Sequence, residues 1–123
     1  MSKLLKNTFA IHAFVALVFG AALLLVPGRT LDLFSWEPQD ALITRLFGAA
    51  LLAFAWSSFR GWQGESFEQV ATLVEMETIF TVFGCVGLLR HLLKGSYPQI
   101  VYTVFVLLLI FAVLWVINLV RRK

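Results

Sequence analysis

IVYTVFVLLLIFAVLWVINLV, residues 100–120, contains no Asp, Glu, Lys or Arg. A helix of that length is roughly 30 Å long at 1.5 Å per residue, which matches the hydrocarbon thickness of a bilayer. Three more runs of similar length precede it, at residues 8–26, 41–59 and 70–89. Backbone polar groups in lipid must satisfy one another, so each run reads as a helix. None alternates apolar with polar residues as a barrel strand would. The expected fold is all-α: an antiparallel bundle of four transmembrane helices, forming a single membrane domain over residues 1–123.

Composition agrees. The 123 residues are 60% hydrophobic and 14% charged, against about 25% charged in soluble chains. That excludes a disordered chain and argues against a soluble domain. One cysteine, Cys85, excludes an intrachain disulfide, and no Cys/His spacing suggests a structural metal or cofactor. The net charge of +3 sits mostly at the chain ends and in short connections. Lipid headgroups explain it without nucleic acid.

Local chemistry marks the boundaries. Lys3 and Lys6 precede an apolar run that is too long for a signal-peptide core, so a retained first helix is expected. Pro27-Gly28 stops it. Pro38 and Asp40 suit the start of the second helix. Ser66-Phe67-Glu68-Gln69 reads as a capping box for the third. Pro98 opens the fourth. The longest connection, residues 27–40, carries Leu31, Leu33, Phe34 and Trp36 among polar groups and is expected to lie in the membrane interface.

Four spans put both termini and the middle connection on one side. Lys3, Lys6, Arg60, Arg121, Arg122 and Lys123 fall there, against Arg29, Arg90 and Lys94 opposite. The positive-inside rule therefore predicts a multi-pass plasma (inner) membrane protein with both termini cytoplasmic. Trp36, Tyr97 and Tyr102 are expected near the outer interface, and Trp56, Trp62 and Trp115 near the inner one.

Phe-Gly-Ala-Ala-Leu-Leu occurs at residues 19–24 and again at 47–52. Gly20, Ala21, Gly48, Ala49, Ala53, Gly84 and Gly87 let helix backbones approach closely. The last span, which lacks glycine, either faces lipid or packs on another subunit.

Ionisable groups within hydrocarbon are costly and mark candidate sites. These are His12, Arg45, Glu75 and Glu77. His12, Glu75, Ser57, Ser58 and Asn118 share an inner-leaflet depth. His12 and Glu75 are expected to face each other, as a proton-holding or structural pair. Glu75 and Glu77 are about 200° apart on a helix. Glu77 is therefore expected to face outward with Gly84, toward headgroups or a second protomer. Arg45 is expected to snorkel outward or to pair with Asp40, Asp32 or Glu37. With Arg29 it is a candidate site for an anion or headgroup. Cys85 reads as a small packing residue.

Pro27-Gly28, Leu33-Phe34, Asp40, Arg45-Leu46-Phe47-Gly48 and Trp62 together resemble small bacterial four-helix membrane proteins of unknown function, loosely DoxX-like. The resemblance covers about a third of the chain. It implies a four-helix membrane bundle and carries no catalytic residue across. Small multidrug transporters are similar in size and span number but have a carboxylate in the first helix, where this chain has His12.

Three functions compete. The first is a structural or interaction subunit without catalytic activity, partnered by membrane lipids and a homo-oligomer or larger complex. The second is a small oligomeric proton-coupled transporter or channel using His12 and Glu75. The third is a lipid- or quinone-modifying enzyme.

Overall fold

The computed structural model describes residues 1–35 and 39–122, and every regular element among them is a helix. They are α1 (Lys3–Leu25), α2 (Pro27–Leu33), α3 (Ala41–Trp62), α4 (Phe67–Leu92) and α5 (Gln99–Arg121). Four of these, all but α2, are long and apolar enough to cross a membrane.

Polar side-chain caps set the start of two of the long helices. The Ser2 hydroxyl accepts from the Leu5 amide at 3.1 Å, which starts α1 five residues before the apolar run. Asp40 accepts from the Ile43 amide at 3.0 Å and opens α3. The expected capping box is half realised. Ser66 is the N-cap of α4 but makes no side-chain cap bond. The Gln69 side chain instead accepts from the Glu65 amide at 3.0 Å, one residue earlier than the box predicts.

Pro27-Gly28 does more than stop α1. Pro27 occupies the first turn of α2, where its missing N–H costs nothing. The Thr30 hydroxyl then donates to the Val26 and Ala22 carbonyls, at 2.8 and 3.1 Å, and folds α2 back onto the end of α1. Phe34 reaches the Phe19 ring at 6.2 Å between centroids. The short apolar segment between the first two spans is therefore this helix. Trp36, Glu37 and Pro38 lie outside the described residues, as do the roles expected for them.

Two helix hairpins make the bundle. α1 lies along α3 for much of its length, and α4 lies along α5. The hairpins meet where α1 touches α5 and α3 touches α4, so α1 and α4 are diagonal. Taking the end of the bundle that holds the chain termini as its inner end, α1 and α3 meet at glycine in the outer half. A Cβ on Gly48 would stand 2.6 Å from the Leu24 amide nitrogen, and one on Gly20 would stand 2.9 Å from the Gly48 carbonyl oxygen. Only glycine permits that approach. In the inner half, Leu5, Phe9, Val70, Val74, Phe111 and Trp115 form the core. Phe54 and Phe80 close the α3–α4 contact at 4.6 Å between rings. The Met1 amino group donates to the Glu65 carbonyl at 3.2 Å, which puts the amino terminus beside the α3–α4 connection.

The last span packs inside its own chain. Val101, Phe111, Ala112, Trp115 and Asn118 are buried on one stripe of α5, while Val106, Leu109, Ile110, Val113 and Val120 are exposed. Trp115 departs from the interfacial belt: it is fully buried and edge-on to Phe9 at 5.0 Å, whereas Trp56 and Trp62 are exposed.

Candidate functional site: a buried polar cluster on four helices

The cluster begins with the rotation of α4. Val70, Val74, Glu77, Thr81 and Cys85 are its buried stripe, and Glu75 lies on the exposed side with Met76, Ile79, Phe83 and Val86. The expectation that Glu75 faces inward is therefore reversed: Glu77 is 0% exposed and Glu75 is exposed. The reason is packing chemistry. Without a hydrophobic drive between helices, small and hydroxyl side chains fill the interior and large apolar ones face lipid. Glu77 shares its stripe with Thr81 and Cys85, while Glu75 shares its face with Ile79 and Phe83. This composition was the available signal, and depth alone missed it.

His12, Ser58 and Glu77 come together from α1, α3 and α4. His12 Nδ1 is 2.8 Å from Ser58 Oγ, and Ser58 Oγ is 3.3 Å from Glu77 Oε1, to which it donates. His12 Nδ1 and Glu77 Oε1 are 3.6 Å apart. α5 supplies the walls: Phe111 and Trp115 stand edge-on to the imidazole at 4.8 and 5.6 Å between centroids. The Ser57 hydroxyl borders the Glu77 carboxyl and donates to the Phe54 carbonyl of its own helix at 3.0 Å.

One turn toward the end of the bundle that holds the termini, the Asn118 amide donates to Thr8 Oγ1 at 3.2 Å and to the Leu114 carbonyl at 2.9 Å. Thr8 in turn donates to the Leu4 carbonyl at 2.8 Å. On the other side of the cluster, Thr81 donates to the Glu77 carbonyl at 2.8 Å. These hydroxyls return to their own helices, so little of the polar column is unsatisfied. Two buried side-chain atoms among the described residues lack a hydrogen-bond partner: Glu77 Oε2, an oxygen, and Trp115 Nε1, a donor.

Of the expected inner-leaflet group, His12, Ser58 and Asn118 are buried between helices, Ser57 is at the margin and Glu75 is outside it. The Glu77–Gly84 surface expected to meet a second protomer is instead internal. Gly84 faces α5, where a Cβ would stand 3.0 Å from the Leu108 side chain.

Arg45 has a main-chain partner that the sequence reading did not name. Its Nη1 donates to the Leu24 carbonyl at 2.6 Å and caps the last turn of α1, where free carbonyls carry the negative end of the helix dipole. Arg45 and Arg29 are both exposed, and Glu37, one of the expected carboxylate partners, lies outside the described residues. Cys85 is buried in packing. Among the described residues no group of three or more His, Cys, Asp or Glu is placed to hold a metal ion. No family model, curated protein or solved structure matches the chain.

Proposed function

We propose that the chain is a small multi-pass plasma-membrane protein of the structural or interaction class, with both termini cytoplasmic and no catalytic activity of its own. The observation that carries this reading is Glu75. It is exposed on the outward face of α4, among Met76, Ile79 and Phe83. It lies roughly 8 Å inside the apolar run that starts at Val70, at 1.5 Å per residue. An acidic side chain at membrane depth costs up to about 3 kcal/mol on insertion scales and normally has a polar or charged partner. A neighbouring membrane helix carrying a basic or amide side chain supplies one. Orientation is supported by six basic residues on the side of the termini against three opposite, and by the Met1–Glu65 contact that joins the amino terminus to the middle connection.

Gentle extraction followed by native mass spectrometry tests the reading. The expected result is a stable complex with another membrane chain or a second copy, lost or weakened in Glu75→Leu while the monomer stays folded. A protein that is monomeric throughout, or a complex indifferent to Glu75→Leu, overturns it. A homodimer with uptake driven by a pH gradient and abolished in Glu77→Gln makes the chain a transporter instead.

A further inference from the structure

The His12–Ser58–Glu77 contact is more than a tie between helices. A serine hydroxyl has one hydrogen to give, and Ser58 Oγ stands between a ring nitrogen at 2.8 Å and a carboxyl oxygen at 3.3 Å. Each of its neighbours is a group that can exist with or without a proton. The hydrogen-bond chain therefore has two directions. In one, His12 Nδ1–H donates to Ser58, and Ser58 donates to Glu77 Oε1. In the other, Glu77 donates to Ser58, and Ser58 donates to His12 Nδ1. The second carboxyl oxygen of Glu77, Oε2, is buried and has no hydrogen-bond partner.

We propose that His12, Ser58 and Glu77 form an intramembrane proton-binding site in which a proton passes between imidazole and carboxyl through the Ser58 hydroxyl. The step balances. The His12 Nδ1–H bond breaks and its proton joins Ser58 Oγ. The original Ser58 O–H bond breaks and that proton joins Glu77 Oε1. Imidazolium and carboxylate become imidazole and carboxylic acid with no change in total charge. Among the described residues, the hydrogen bonds and ring contacts of the cluster bring in no further titratable group. α3 contributes Ser57 and Ser58, α5 contributes Phe111, Trp115 and, one turn away, Asn118, and α1 contributes Thr8. The ligand of this site is the proton itself, and the site does not depend on Glu75 or on a partner chain.

The test uses the full chain in lipid nanodiscs, with His91→Asn leaving one imidazole. The His12 ring-nitrogen NMR shifts and the infrared carboxylic-acid C=O stretch are followed together against pH. The expected result is the same midpoints in both signals, because the protons of strongly coupled groups come off in macroscopic steps that belong to the pair and not to either residue. The carboxylic-acid band is lost in Glu77→Gln and kept in Glu75→Gln. Ser58→Ala, which removes only the bridging oxygen, separates the midpoints of the two signals. Midpoints that differ between the two signals by more than about one pH unit in the parent protein, no transition in either signal, or shared midpoints unchanged by Ser58→Ala each overturn the proposal. The first two need no variant of the cluster.

Discussion

The two halves of the bundle are held by different chemistry. In the inner half, side chains from all four long helices converge: an aromatic and aliphatic core around Trp115 and Phe9, and hydrogen bonds from His12 to Ser58 to Glu77 and from Asn118 to Thr8. In the outer half, backbone meets backbone at Gly20 and Gly48, and Arg45 closes the end of α1. The first arrangement joins the two hairpins to each other. The second holds one hairpin together. In lipid, where helices gain nothing by hiding apolar surface, polar contacts and close packing are the two available means of association. This chain combines the two in the inner half and relies mainly on close backbone packing in the outer half.

The largest test of that contrast is Trp115→Ala. It removes a fully buried ring against Phe9 and His12, and the expected loss is about 3 kcal/mol or more, read by thermal unfolding in detergent. A smaller loss than the outer-half substitution below would break the comparison. Gly48→Val comes next. Its side chain meets the Leu24 backbone, which cannot give way as a flexible side chain would. The expected cost is about 1–3 kcal/mol, with a specific loss of α1–α3 cysteine cross-linking and little change between α1 and α5. Asn118→Leu should cost about 0.6 kcal/mol, the average for interhelical hydrogen bonds in a membrane protein, and no more than about 1.7 kcal/mol. It should loosen α1 from α5 alone. Gly87→Ala should be within about 0.5 kcal/mol of neutral, since nothing lies within 4 Å of the added Cβ. A clear loss there would mean that α4 has a neighbour beyond this chain on that side.

The spans were legible because hydrocarbon thickness is a length requirement, and four uncharged or sparsely charged runs meet it. Helix ends were less so. Ser2 extends α1 through a single side-chain bond that mean hydropathy does not register, whereas Asp40 opens α3 where the sequence places it. In the site, depth placed His12, Ser58 and Asn118 in one layer. The choice between Glu75 and Glu77 required the rotation of α4, which every residue on the helix decides jointly. Arg45 was unreadable for another reason: its acceptor is a main-chain carbonyl twenty-one positions away, and a carbonyl has no signature in the sequence. Trp115 was assigned by residue type to the headgroup level, but its stripe with Phe111 and Asn118 outweighs that preference.

The nearness of His12 to Ser58 has a consequence for biogenesis. Ribosomal synthesis delivers α1 and α3 before α4, and their glycine contact lets this pair dock as soon as both have entered the bilayer. The imidazole and hydroxyl are then already assembled when the Glu77 segment leaves the translocation machinery. On that order of assembly, the Glu77 carboxyl would meet hydrogen-bonding groups rather than bare acyl chains, and removing them by His12→Ala with Ser58→Ala would lower the yield of inserted third span.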